Sequence, residues 1–316
     1  MVLQLGDKML RPEPDQRSRI VSLATRLPGQ PGLVGDPRCY HPRVNNQADG
    51  MVMTNVTTFE IRGHVATITL NRPEAMNALN PELRWSLSRH FDEVEHNDDI
   101  WIAIVTGAGD KAFCAGADLK HRAIERDASS EQKAHWQQLQ EKTTPLNERW
   151  YFPKPVIARV NGFALGGGLE LALGCDIIVA ADHAELGLPE PRRGLIAGGA
   201  GVHRLPRQIG LKVAMGYLLT GRHMSAARAY ELGLVNQVVP AADLDATVAQ
   251  WVQDILRCAP LAVRATKEAA MRGLDKPLNE AQGTEYEWET RRRQSADALE
   301  GPRAFAEKRS PNWQGR

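Results

Sequence analysis

The stretch Pro155-Val-Ile-Ala-Arg-Val-Asn-Gly-Phe-Ala-Leu-Gly-Gly-Gly-Leu-Glu-Leu-Ala-Leu-Gly-Cys-Asp-Ile-Ile-Val-Ala-Ala181 decides the fold class. Residues 155–160 are a short apolar run rich in β-branched side chains. A glycine-rich turn follows, then a helical pattern over residues 169–175, then a second apolar run at 176–181. Apolar runs this short, bounded by turn residues, read as strands buried on both faces. Strand, turn, helix and strand in that order indicate an α/β core.

Working outward, residues 101–106 form another buried strand that ends at Gly107. Residues 59–62 and 65–70 read as β-runs joined at Gly63-His64, a hairpin. A helix is expected from Pro81, because Asn80 is a good N-cap and proline suits the first turn. Residues 131–150 read as a polar helix. Past residue 210 the chain turns helical, over 211–220, 225–232, 242–258, 261–273 and 279–300, with Pro240, Pro260 and Pro277 at the breaks. The chemistry is therefore expected in the α/β part and oligomer contacts in the helical tail. The first fifty residues differ: Pro12, Pro14, Pro28, Pro31, Pro37 and Pro42 with Gly29, Gly32 and Gly35 and little apolar periodicity predict a loosely ordered extension over residues 1–55. Organised sequence begins just past Met51 and Met53, either of which would serve as a natural start.

The 316 residues carry 39 basic and 38 acidic side chains, so a net charge of +1 points to neither a nucleic-acid nor a membrane partner. With 42% hydrophobic and 24% charged residues, there is ample material for a core, and disorder of the whole chain is excluded. No apolar run is long enough to span a bilayer. Cys39, Cys114, Cys175 and Cys258 show no metal or disulfide spacing, so a reducing, cytoplasm-like compartment is expected, or a mitochondrial matrix in a eukaryote.

The sequence has no nucleophile elbow, no phosphate-binding loop of the GxxxxGK[ST] type and no HExxH. The glycines at 166–168 are no dinucleotide fingerprint, because Leu171 stands where the third glycine would fall. What remains is a pair of glycine-containing turns, Phe113-Cys-Ala-Gly-Ala-Asp-Leu-Lys120 and Asn161-Gly-Phe-Ala-Leu-Gly-Gly-Gly-Leu-Glu170, each downstream of a short buried strand. Small residues let a ligand approach the backbone. Amides at a helix start lack intrahelical partners. Two such amides converging on one carbonyl oxygen would form an oxyanion hole.

These motifs resemble the crotonase family, the enoyl-CoA hydratases and isomerases. The resemblance runs from about Phe59 to Arg309. It includes Ile68-Thr-Leu-Asn-Arg-Pro-Glu-Ala-Met-Asn-Ala-Leu79, both glycine turns, Gly187-Leu-Pro-Glu190, Ala229-Tyr-Glu-Leu-Gly-Leu-Val235 and Glu300-Gly-Pro-Arg-Ala-Phe-Ala-Glu-Lys-Arg309. It implies a spiral of ββα turns over residues 56–250, with the CoA and acyl site, and a helical C-terminal trimerisation region over 251–316. It implies that the Ala117 and Gly167 amides are the oxyanion donors and that Glu170 and Glu190 are the catalytic carboxylates. Gly166, Asp118, Leu119 and Lys120 would bind substrate, with Lys120 near a CoA phosphate or the adenine.

The implied activity is reversible syn hydration of a 2-enoyl-CoA. The alternatives are double-bond isomerisation, a specialised hydratase or dehydratase for carnitinyl-CoA or branched or acidic acyl groups, and thioester hydrolysis. CoA would arrive as part of the substrate, with no metal or redox cofactor, and the chain would form a homotrimer or homohexamer. RNA binding would want a basic comb, whereas residues 81–98 set Arg84 and Arg89 against five acidic residues.

Taken singly, these residues have plainer readings. Glu170 is a first-turn glutamate favoured by the helix dipole, and Glu190 is a loop glutamate. Lys120 with His121 and Arg122 reads equally as a solvated cluster, and Cys114 as a packed thiol. Trp150, Tyr151 and Phe152 read as core or pocket wall, and Tyr286 and Trp288 as core or interface. Pro191 and Arg192-Arg193 depart from the family pattern. They reshape the acyl pocket, meet a second acidic group on the substrate, or face solvent, and the last reading is favoured.

Overall fold

The computed structural model describes residues 55–316. The expected N-terminal extension and alternative start lie outside the described residues, Asn55 apart.

The chain builds two sheets in alternation. The larger contains β1 (Thr57–Arg62), β2 (Val65–Leu70), β3 (Ile102–Gly107), β5 (Val156–Val160), β7 (Ile177–Ala181) and β10 (Gln237–Val239), adjacent in that order. Only β1 and β2 pair antiparallel, as the hairpin whose register puts Arg62 opposite Val65. The smaller sheet contains β4 (Ala112–Cys114), β6 (Phe163–Leu165), β8 (Glu185–Gly187) and β9 (His223–Ser225). Each circuit lays one strand in the large sheet and the next in the small one: β3 then β4, β5 then β6, β7 then β8. Helices follow β4 and β6, namely α2 (Leu119–Glu125) with α3 (Ser130–Glu141), and α4 (Gly167–Leu173). The result is the expected spiral of ββα turns.

Strict alternation between two packed faces explains why the central strands β3, β5 and β7 are largely apolar, Thr106 of β3 and Arg159 of β5 apart. Val156, Ala158 and Val160 face the main core, which includes Leu70, Phe91, Phe113 and Leu169. Ile157, between them, faces a second cluster with Ile102, Val179, Leu244, Val248 and Val252. The last three belong to α8 (Leu244–Leu256), which covers the other face of the sheet. Both faces are thus packed, as parallel sheets require. Helix α1 (Pro81–His96) starts as read, with the Asn80 side chain accepting the Leu83 amide at 3.0 Å.

The small sheet was not read from the sequence, because three-residue strands leave no periodicity. The polar helix expected over 131–150 is α3, which stops at Glu141, where Thr143, Thr144 and Pro145 disfavour its continuation. Beyond it come α5 (Gly201–Gln208), α6 (Leu211–Thr220), α7 (Ala226–Glu231) and α9 (Pro260–Gly273). The helix expected over 279–300 is three: α10 (Leu278–Gly283), α11 (Glu287–Arg293) and α12 (Ala296–Ala306). Among the described residues no helix is long and apolar enough to cross a membrane.

Candidate active site

The three glycines at the start of α4 serve three different ends. Gly166 has φ +54°, and a Cβ there would lie 2.8 Å from Glu190 Oε1. At Gly167 a Cβ would meet Leu79 Cδ1 at 2.8 Å. At Gly168 it would fall 2.0 Å from the Cys114 carbonyl oxygen, inside the backbone of β4. Strand β4 and helix α4 therefore touch backbone to backbone, which only glycine allows. Gly116, at φ +91°, closes the same contact from the other side; a Cβ there would lie 3.2 Å from the Gly167 nitrogen. Ala117 follows it, its nitrogen 3.9 Å from the Cβ position of Gly167. Neither the Ala117 nor the Gly167 amide finds an acceptor among the described residues. Both residues line a cleft of about 540 Å³ that is also lined by Glu170 and Glu190.

Glu170 lies in the first turn of α4 and is only 5% exposed. Its Oε1 accepts the Gly201 amide at 2.9 Å. Burial raises its pKa above the usual carboxylate range; the Gly201 and Gly199 amides and the charge of Arg84 oppose this, and the charge of Glu190 adds to it. Glu190 opens a short 3₁₀ turn, Glu190–Arg193. Its Oε2 is buried with no hydrogen-bond partner among the described residues, and burial raises its pKa too, against the pull of its own backbone amide and of Arg193. Hence two carboxyl groups, 20 residues apart in sequence and each more easily protonated than in water, share one cleft with two unpaired amides.

Asp118 caps α2, accepting the His121 amide at 3.1 Å, and pairs with Arg72 Nη2 at 2.9 Å. Burial pushes its pKa up, but these partners outweigh it and hold the carboxyl below the usual range. Leu119 and Lys120 lie exposed on the first turn of α2 and do not line the cleft, whereas Gly166 is buried beneath Glu190. Arg192 and Arg193 are both exposed, and Arg192 Nε donates to the Thr220 carbonyl at the end of α6. Phe152 is core, but Trp150 is 61% exposed beneath Arg272, so the reading of Trp150 as core or pocket wall is corrected. Trp288 packs against Arg264 and Arg291.

Sequence reasoning missed several lining residues. Arg84 on α1 reaches Glu148 at 3.3 Å. Trp136 on α3 donates to Glu82 at 3.0 Å and meets the edge of His121 at 4.3 Å. Asn147 donates to the Gly199 carbonyl at 2.7 Å, which fixes the turn that packs on Glu170. Only contacts across more than fifty residues bring them to the cleft, and no local pattern marks them.

The model of the enoyl-CoA hydratase/isomerase family matches residues 60–316. The chain is 41% identical over 261 residues to the (E)-benzylidenesuccinyl-CoA hydratase of Thauera aromatica, an alignment covering 82% of this chain and 98% of that one. It is 39% identical over 259 residues to a carnitinyl-CoA dehydratase of Escherichia coli, covering 80% and 96%. Among solved structures, the enoyl-CoA hydratase of Bacillus anthracis superposes with a TM-score of 0.74 at 38% identity, over 83% of this chain and 100% of that one. The enoyl-CoA hydratase of Mycobacterium tuberculosis does so with a TM-score of 0.73 at 35% identity, over the same shares.

Proposed function

Because this chain belongs to the enoyl-CoA hydratase/isomerase family, we propose that it catalyses the reversible syn addition of water to a 2-enoyl-CoA thioester. One observation carries the reading: the carboxyl groups of Glu170 and Glu190 open on the same cleft as the unpaired amides of Ala117 and Gly167.

The thioester oxygen would sit between the two amides. Water attacks the β-carbon, and the C=C electron pair moves to the thioester oxygen as an enolate. Two preorganised donors stabilise that charge, each worth about 3–4 kcal/mol in comparable sites. Glu170, held by the Gly201 amide, positions the water and takes its proton. Glu190 enters protonated and delivers its proton to the α-carbon as the enolate collapses. Its buried, unpartnered Oε2 suits a carboxyl group kept neutral until that step. One proton enters on Glu170 and one leaves from Glu190, so exchange with solvent resets the pair. Both carboxyl groups act from one side of the substrate, which gives syn addition. Hydration is redox-neutral, so this reading calls for no redox cofactor, and CoA comes with the substrate.

The Arg84–Glu148 pair places opposite charges in the same cleft and supports a polar rather than a purely hydrocarbon acyl group. Two of the matched relatives are named for a benzylidenesuccinyl-CoA and a carnitinyl-CoA substrate. Assembly as a homotrimer or homohexamer is part of this reading, and light scattering on the purified chain tests it.

The deciding experiment is turnover of a panel of enoyl-CoA thioesters, read by loss of the conjugated absorbance and by product mass. A water-added product, lost in both Glu170→Gln and Glu190→Gln, is expected. A mass-neutral double-bond shift that survives Glu170→Gln would overturn the reading in favour of isomerisation.

A further inference from the structure

We propose that Arg72 is a positioning residue for the oxyanion site: through Asp118 and Leu79 it holds the Ala117 and Gly167 amides in register. The inference rests on the function proposed above.

The segment of residues 71–80, between β2 and α1, meets the backbone on both sides of Ala117 and packs over Gly167. The Leu79 amide donates to the Gly116 carbonyl (2.8 Å) and the Leu79 carbonyl accepts from the Asp118 amide (3.1 Å), so the residues on either side of Ala117 are pinned to it. The Leu79 side chain also fills the space over Gly167, where Cδ1 lies 2.8 Å from the Cβ position. One residue thus sets the separation of both donors.

Arg72 fixes that segment from within. Nη1 donates to the Ala78 carbonyl and Nη2 to Asp118 Oδ2 at 2.9 Å. The backbone amide of Arg72 donates to Asn77 Oδ1 at 2.9 Å, and Asn77 Nδ2 donates to the carbonyls of Ala108 and Ala112. Met76 and Asn77 both sit at left-handed φ, 51° and 55°, a conformation that β-carbon-bearing residues hold only when their surroundings demand it. The Arg72 and Asp118 side chains are 17% and 11% exposed, and Arg72 does not line the cleft. The guanidinium therefore acts on the reaction through the backbone it braces. The Asp118 side chain, expected from the family pattern to contact substrate, lines the cleft and is also the other end of that brace.

The test uses the full chain and a conjugated dienoyl-CoA, whose absorption band moves to longer wavelength when its thioester oxygen is polarised. Arg72→Met and Asp118→Asn are expected to keep KM within about 3-fold while kcat falls about 10²-fold. The red shift of the bound chromophore should shrink in parallel, and Arg72→Lys should recover part of both. A folded Arg72→Met protein with wild-type kcat and red shift would overturn the brace. Should Arg72→Met fail to fold, Asp118→Asn and Arg72→Lys carry the same comparison. Failure of the wild type itself to shift the chromophore or turn over any enoyl-CoA would instead overturn the proposed function.

Discussion

Glu170 and Glu190 share a cleft but are held in opposite ways. Oε1 of Glu170 accepts the Gly201 amide at 2.9 Å, whereas Oε2 of Glu190 is buried without a hydrogen-bond partner among the described residues. Burial raises both pKa values, and the charge of Glu190 raises that of Glu170 further. A carboxyl group with a raised folded-state pKa favours the fold below its unfolded pKa and loses that contribution as pH rises through the folded value. At neutral pH both groups therefore cost stability in exchange for chemistry.

The amides Glu170→Gln and Glu190→Gln remove that cost without changing shape. Each is expected to lower kcat by about 10²–10⁴-fold. Each is also expected to raise Tm at pH 7, by roughly 2–4 °C. The Tm gain should vanish near pH 4, where the wild-type carboxyl groups are themselves protonated. Paired thermal melts at the two pH values check it, and a loss of Tm at pH 7 would refute the account.

Arg84 opposes the upward shift of Glu170. Arg84→Met therefore raises that pKa further, so ionised Glu170 is lost at a higher pH. The acidic limb of the kcat profile is expected to move to higher pH than in the wild type. Movement to lower pH would show that Arg84 does not act on this carboxylate.

Successive glycines should respond differently to a single methyl group. Gly168→Ala drives a Cβ into the Cys114 carbonyl, 2.0 Å away, and is expected to cost more than about 3 kcal/mol or prevent folding. Gly167→Ala meets only a flexible Leu79 methyl and should fold. Gly166→Ala presses on Glu190 Oε1 from a left-handed backbone and is expected to lower kcat by about 10²-fold in folded protein. Denaturant melts and kinetics on the three variants separate these outcomes.

Arg149 ties residues 142–150, which form one wall of the cleft, to α1. It pairs with Asp92 and Glu95 and donates to the carbonyls of Thr144 and Ser88, with its side chain 9% exposed. Arg149→Ala leaves Glu95 without its ion pair, leaves Asp92 with Arg89 alone, and takes a donor from the Thr144 and Ser88 carbonyls. A loss of about 2–4 kcal/mol is expected by urea denaturation. A loss under about 0.5 kcal/mol would show that the network is dispensable.

Five large-sheet strands were legible, because residues such as Val156, Ile157 and Val179 are buried on alternating faces and cannot be polar, whereas three-residue β10 was not. The start of α1 was legible in Asn80-Pro81, since capping is local. So were Glu170 and Glu190, though only as members of a family pattern. The small sheet was not, because β4, β6 and β8 are three residues each and owe their existence to neighbours in space. Nor were Arg84, Trp136, Asn147 and Glu148, which reach the cleft from α1, α3 and the segment after it.

By itself the sequence determined the alternation of strand and helix in the α/β part, the start of α1 and the residue types available for acid–base work. These follow from local sterics, capping and periodicity, which act over a few residues. Tertiary structure alone decided that the Gly201 amide meets Glu170 and that Glu190 Oε2 lacks a partner among the described residues. It alone decided that Asp118 pairs with Arg72 and that Lys120 stays outside the cleft. Desolvation and hydrogen bonding depend on what lies across a few ångströms of space, and those neighbours stand up to 46 residues away along the chain in the Arg72–Asp118 pair.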